Sequence, residues 1–223
     1  MDQRARKTAL YEQFARVGKA LANPARLELL DLLAQGERSV EELAEAASLK
    51  VSNTSAQLRA LAVAGLVRTR RDGVKVYYRL ADEEVAAFTG RIQEFAASRI
   101  AEVDRAARGY LGDVAALEPV ARDELFRRLR DEEVLVLDVR PEAEYLAAHI
   151  PGAINVPHDQ LAVRLAEIPA GTDIVAYCRG QYCVFAPDAV RLLRTHGFSA
   201  RPLAGGLPDW RLDGLPVATD AAA

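Results

Sequence analysis

Apolar residues recur every three or four positions through the first third of the chain. Leu10, Phe14, Val17 and Leu21 form one such stripe, the spacing that brings side chains onto one face of an α-helix. Asn23-Pro24 stops the pattern and restarts it: Asn23 is placed to cap a second helix, and Pro24 suits its first position. Leu27, Leu29, Leu30, Leu32 and Leu33 predict deep burial of that helix, with Gly36 closing it. Ser39 and Glu42 stand at capping-box spacing ahead of a short helix carrying Leu43 and Ala47. Ser52 is expected to cap a fourth helix, with Leu58, Leu61 and Val63 on one face and Asn53, Thr54, Ser55, Gln57 and Arg59 off it; Gly65 ends it. The pattern then becomes strand-like. Residues 66–71 and 74–80 predict two strands joined by Asp72-Gly73, a strong hairpin signal. From 82 to 112 a long helix is expected: Val85, Phe88, Ile92 and Phe95 make one stripe, which Ile100, Val103, Ala107 and Tyr110 resume after a one-residue shift.

Beyond Gly112 the rhythm changes again. Leu125, Phe126 and Leu129 mark a helix, 134–139 a buried strand, 142–148 a helix and 153–156 a second strand. Leu161 and Leu165 mark another helix, and 173–177 reads Asp-Ile-Val-Ala-Tyr, a short buried strand. A helix closing at Gly197, a strand at 200–203 and a short helix at 207–212 complete the run. Alternating strands and helices imply a mostly parallel sheet covered on both faces, with ligands bound beyond the strands' carboxyl ends. The chain thus reads as two domains. Residues 1–112 form a mainly α winged helix-turn-helix, 113–119 a linker, and 120–223 an α/β domain.

Charge sharpens the first half. The net charge is only −3, yet residues 50–80 hold seven Lys and Arg against one acidic residue. A basic strip on an acidic protein implies a local polyanion site. On a winged helix that polyanion is expected to be duplex DNA; the alternatives are a protein-binding winged helix and a merely solvated charged surface. Lys50, Arg59, Arg70, Arg71 and Lys75 would pair with phosphates, and Ser52, Asn53, Thr54, Ser55 and Gln57 would reach into the major groove.

Leu21-Ala22-Asn23-Pro24-Ala25-Arg26-Leu27, Ala64-Gly65-Leu66-Val67 and Val76-Tyr77-Tyr78-Arg79-Leu80 resemble the ArsR family of bacterial repressors over residues 8–110. The resemblance implies a homodimer built from the first and last helices, reading a palindromic operator; packing of the long helix on the second half is the alternative. Many members sense metals through cysteines on the third helix or through His and Asp on the last. Here Ser39-Val40-Glu41 stand where Cys-Val-Cys is often found, and residues 1–148 contain neither cysteine nor histidine. Soft metals need thiolate or imidazole, so no metal or cofactor site is expected in this half.

Both cysteines lie in one stretch, Tyr177-Cys178-Arg179-Gly180-Gln181-Tyr182-Cys183, between a strand end and a helix start. Converging N–H groups there are expected to favour a Cys178 thiolate, with a pKa below the free value near ~8.5; the alternative is two small core residues. Two cysteines make no disulfide framework, the opening residues lack a signal-peptide core, and no apolar run reaches membrane-spanning length. A cytoplasmic protein without membrane contact is expected. Asp138-Val139-Arg140, the run from His149 to Pro157, and Gly205-Gly206 with Trp210, Gly214 and Leu215-Pro216-Val217 resemble a single rhodanese domain. The resemblance implies that Cys178 is the sulfur-accepting nucleophile, its persulfide cradled by the N–H groups of Arg179, Gly180, Gln181, Tyr182 and Cys183. Asp138, His149 and Trp210 are assigned to structure.

This loop departs from the family pattern: Cys183 replaces the common basic residue and Val184 the Ser or Thr after it. Slow turnover of a dianionic donor follows, as does exclusion of phosphatase or arsenate-reductase chemistry, which needs a guanidinium clamp. A second thiol also permits a Cys178–Cys183 bridge. The reading is therefore a DNA-binding repressor that senses reactive sulfur, its donor a polysulfide, persulfide or thiosulfate. The alternative is a sulfurtransferase of low activity tethered or dimerised by its winged helix. A third reading is a sensor of arsenite or another thiophilic ion through Cys178 and Cys183.

Overall fold

The computed structural model describes residues 2–131, 133–169 and 171–220. Contacts divide the chain into two compact units, one ending at Gln93 and the other beginning at Glu94. Among the described residues no helix is long and apolar enough to cross a membrane.

The first unit contains α1 (Gln3–Leu21), α2 (Pro24–Leu33), β1 (Arg38–Ser39), α3 (Val40–Ala46), α4 (Val51–Val63), β2 (Val67–Asp72) and β3 (Lys75–Leu80). Its helix starts follow the caps in the sequence. Asn23 Oδ1 accepts from Arg26 N–H at 3.2 Å. Ser39 Oγ accepts from Glu42 N–H at 3.2 Å, while Glu42 Oε2 accepts from Ser39 N–H at 2.8 Å, completing the capping box. Loss of such a cap costs about 1 kcal/mol. Leu29, Leu43, Leu58 and Leu61 are wholly buried in one core, each contributing about 1.5–3 kcal/mol.

Three local expectations change. Lys50 is the cap position of α4 and makes no side-chain bond there, so Ser52 is a first-turn residue. The hairpin turn is Gly73-Val74, one residue later than expected, because Asp72 pairs with Lys75; Gly73 has φ +59°, which glycine adopts freely. β1 adds a third strand, giving the order β1-β3-β2, with Ser39 opposite Tyr77.

The expected helix over 82–112 is two helices, α5 (Glu83–Arg99) and α6 (Ala101–Leu111). Ile100 between them is extended, at φ −118° and ψ 102°. The break falls where the apolar stripe shifts by one residue, so the interruption resets the helical phase.

The second unit is built on four parallel strands, β4 (Leu135–Asp138), β5 (Ile154–Asn155), β6 (Asp173–Cys178) and β7 (Ser199–Gly206), in the order β5-β4-β6-β7. Helices α7 (Arg122–Arg130), α8 (Glu142–Ala147), α9 (Leu161–Arg164), α10 (Phe185–Thr195) and α11 (Leu207–Leu212) accompany them. Side chains of β6 alternate between two cores, as strand geometry requires. Ile174, Ala176 and Cys178 join Val190 and Leu193 of α10, whereas Val175 and Tyr177 join Leu125 of α7 and Trp210 of α11. Cys178 is therefore the last residue of a buried central strand, on the α10 side. At the carbonyl end of α6, Arg191 donates to Leu111 O, and Arg194 Nη2 donates to Leu117 O at 2.9 Å.

Candidate functional site

A buried frame holds the sheet's carboxyl end. Asp138 and Arg140 pair at 2.6 Å with no accessible surface on either side chain. Arg140 Nη2 also donates to Ala148 O at 2.7 Å. The Tyr177 hydroxyl donates to Asp138 and accepts from Ile150 N–H. His149 stacks on Tyr145, its Nδ1 2.9 Å from Tyr145 O, and Trp210 Nε1 donates to Pro216 O at 2.7 Å. All three residues assigned to structure act as framework. Gly205-Gly206 closes the site from β7. A Cβ on Gly206 would lie 2.5 Å from Cys178 O and inside the Arg179-Gly180 backbone, so only glycine lets the strand end meet the loop.

The loop itself reverses one expectation. Cys178 is 1% exposed. Its sulfur lies 3.6 Å from Cys183 O and 3.9 Å from Gly180 O, both of which can only accept. Burial, then the hydrogen bond and charge of Cys183, push the Cys178 thiol well above its ordinary value, against the pull of the Ala186 and Gly180 N–H groups. The shift at Cys178 is upward, contrary to the lowered pKa expected for it. Cys183 is partly exposed. The hydrogen bond from Cys178 lowers its pKa to about 7, helped by the N–H groups of Arg179 and Phe185 and by the Arg179 charge. The converging donors of the helix start therefore favour a thiolate on Cys183. The predicted cradle changes accordingly. The N–H of Cys183 is taken by Gly180 O at 3.1 Å, and Phe185 and Ala186 of α10 supply donors the sequence reading did not name. Gln181 is exposed and Tyr182 partly so.

Arg179 is engaged. Its Nη2 and Nε donate to Glu144 Oε1 at 2.6 and 3.0 Å, and its guanidinium lies 5.1 Å from the Phe185 ring centre. Glu144, on α8, was not singled out from the sequence; nothing in the spacing links positions 35 residues apart. A cavity of about 330 Å³ opens beside α10, lined by Val139, Pro157, Phe185, His158 and the acidic Glu142 and Asp159. A second, of about 400 Å³, is lined by Asp173, Arg194, Ser199 and Arg201. It lies at the strands' amino ends, about 17 Å of β6 away from Cys178, and takes no part in this chemistry.

On the first unit, α4 and the wing carry the predicted DNA residues. Lys50, Ser52, Asn53, Arg59, Arg71 and Lys75 are exposed, and Ser55 and Gln57 half-buried. Thr54 is not on this face: it is fully buried and its hydroxyl donates to Lys50 O at 3.2 Å. Position 54 faces inward because it stands four and seven residues before Leu58 and Leu61, on the same helix face. Arg26 orders the outer face. It donates to Ala20 O, to Lys19 O at 2.9 Å and to Gln57 Oε1 at 2.9 Å, and Gln57 Nε2 donates to Asn53 Oδ1 at 3.0 Å. Arg70 is paired with Glu37 at 2.7 Å and Asp72 at 3.3 Å, over the Tyr77 ring. Arg68 and Arg79, both exposed and directly opposite across the hairpin, were counted in the basic strip but not singled out. Like charges facing each other destabilise a strand pair, and an anion between them would relieve that.

A winged helix unit thus stands ahead of an α/β unit with a parallel sheet. Residues 23–69 match the family model of bacterial regulatory proteins of the arsR family, and residues 121–213 that of the rhodanese-like domain. The chain is 52% identical over 212 residues to the HTH-type transcriptional regulator Rv0324 of Mycobacterium tuberculosis, covering 95% of this chain and 93% of that relative. Over 96 residues it is 34% identical to a sulfurtransferase of Allochromatium vinosum, covering 43% of this chain and 89% of the relative. A homodimeric winged helix-turn-helix DNA-binding domain solved from Mycobacterium bovis is 50% identical, covering 45% of this chain and 93% of that one, with a TM-score of 0.41. The chain belongs to the ArsR-type transcriptional regulators that carry a rhodanese-like domain.

Proposed function

We propose that this regulator is a cytoplasmic, homodimeric repressor whose rhodanese-like domain accepts sulfane sulfur in the Cys178 loop and relays that event to operator binding. Residues 1–112 bind DNA and dimerise, 113–119 link, and 120–223 handle sulfur, with Cys178 the carrier. The observation that carries this reading is the thiol pair: two free cysteines at the carboxyl end of a buried strand, hydrogen-bonded to each other just ahead of α10. Exposed Leu10, Tyr11 and Phe14 on α1 and Phe88 and Phe95 on α5 support a dimer face. Basic residues on the wing support duplex DNA as the partner. Arg179, held by Glu144, supports a polysulfide or persulfide donor over thiosulfate, whose sulfonate needs a cation.

The sulfurtransferase reading keeps one specific support, the 34% identity to a protein named for that activity. Operator binding measured by fluorescence anisotropy, with and without inorganic polysulfide, separates the two. A sulfur-dependent change in affinity supports the repressor. Sulfur turnover with unchanged affinity supports the tethered enzyme.

A further inference from the structure

We propose that Cys183, not Cys178, is the first acceptor of sulfane sulfur, and that Cys183 hands the sulfur on to Cys178. This rests on the sulfur-accepting reading of the loop and adds the order of events within it.

Access and polarity both favour Cys183. Cys178 ends a buried strand, packed with Ala189, Val190 and Leu193, and is 1% exposed. Its sulfur lies 3.6 Å from the carbonyl oxygen of Cys183 and 3.9 Å from that of Gly180, beside the Cys183 sulfur, with the N–H groups of Gly180 and Ala186 pulling the other way. Burial, more than those neighbours, favours its thiol form and shields it from an incoming donor. Cys183 is partly exposed at the loop's end. It receives the N–H groups of Arg179 and of Phe185 in the first turn of α10, beside the Arg179 guanidinium. Phe185, two residues further on, stacks with His158 at 5.1 Å and walls the 330 Å³ cavity with Val139 and Pro157. The carboxylates lining that cavity, Glu142 and Asp159, and the pairing of Arg179 with Glu144 disfavour a donor whose sulfonate needs a cation. The donor class is therefore a hydropersulfide or polysulfide.

The chemistry balances without an added oxidant or reductant. The Cys183 thiolate attacks the outer sulfur of R–S–SH. The donor S–S bond breaks, R–S⁻ leaves with its electron pair, and Cys183 carries –S–SH. Cys178 then attacks that outer sulfur. The Cys183 S–S bond breaks, the Cys178 proton passes to the departing Cys183 sulfur, and the product is Cys178–S–SH beside Cys183–SH.

The test uses the full chain, inorganic polysulfide at pH 7, rapid alkylation and peptide mass spectrometry. Tryptic cleavage after Arg179 puts the two cysteines on separate peptides. In the wild type the added sulfur is expected first on the Cys183 peptide and later on the Cys178 peptide. Cys178→Ser should trap it on Cys183. Cys183→Ser should take up sulfur roughly tenfold more slowly, because the remaining thiol has little thiolate at that pH. Iodoacetamide without any sulfur donor should label Cys183 first. Sulfur appearing first on Cys178, or uptake by Cys183→Ser at the wild-type rate, overturns the order alone. Uptake by neither thiol overturns the sulfur-accepting reading and this order with it.

Discussion

Glu144→Gln isolates the reason this loop should be a poor thiosulfate site. Glu144 is 3% exposed, and its carboxylate takes Arg179 at 2.6 and 3.0 Å. Glutamine keeps the shape and one acceptor but removes the charge that neutralises the guanidinium. Two consequences oppose each other. Weakening a buried hydrogen-bonded pair should destabilise the domain by about 1–3 kcal/mol, lowering its melting temperature by a few degrees. A sulfonate approaching the loop should now meet a guanidinium whose charge Glu144 no longer neutralises. A charge-assisted hydrogen bond of that kind contributes about 1.5–3 kcal/mol, or roughly ten- to 150-fold in kcat/KM. Steady-state transfer from thiosulfate to a thiol acceptor, with melting followed on the same preparation, reads both. A variant that melts cooperatively within this range but transfers sulfur from thiosulfate no faster than the wild type would refute the claim that Glu144 withholds Arg179 from anionic donors.

Other outcomes follow from the same geometry. The Cys183 pKa is depressed to about 7 by the Cys178 hydrogen bond, so its thiolate is lost as pH falls through that value and gained as pH rises. Alkylation of Cys183 should therefore climb roughly tenfold between about pH 6 and 8 and then level off, whereas an ordinary thiol would keep rising past ~8.5; a curve still climbing there contradicts the assignment. Gly206→Ala forces a methyl group into the Cys178–Gly180 backbone; it should cost about 1–3 kcal/mol in urea unfolding and abolish sulfur uptake, and near-normal uptake would count against the close approach. On the wing, Arg71→Ala should weaken binding to any duplex and lower the salt slope by about one. Arg70→Ala should do less, since Glu37 and Asp72 already neutralise Arg70, and equal losses would show that those pairs open on DNA.

Short-range features were legible in the sequence because they depend on neighbours a turn apart. The Asn23 cap, the Ser39–Glu42 box and the β-α alternation of the second unit stand where the pattern placed them. Features set by register or by distant contacts were not. The two-residue β1 is too short to show a period. Thr54 stands four and seven residues before Leu58 and Leu61, a core-face spacing that its polar side chain masks until Lys50 O takes up the hydroxyl. The phase shift at Ile100 was visible, but a helix and a broken helix share it. The Arg68–Arg79 juxtaposition needs the hairpin register. At the thiol pair, the motif located both sulfurs but not their burial, and it is burial that chiefly raises the Cys178 thiol above its ordinary value.

The most direct measurement is operator affinity at fixed salt, before and after inorganic polysulfide, for the wild type and for a Cys178→Ser/Cys183→Ser double variant. A loop modification can change DNA binding only through a difference in how the binding-competent and incompetent states accommodate it, and such couplings are typically about 1–3 kcal/mol. A sulfur-responsive repressor should lose roughly five- to 150-fold in affinity on treatment, while the double variant binds the untreated operator as tightly and ignores polysulfide. The same response in both proteins, or none in the wild type once sulfur is shown on its cysteines, would contradict the coupling of the rhodanese-like domain to DNA binding.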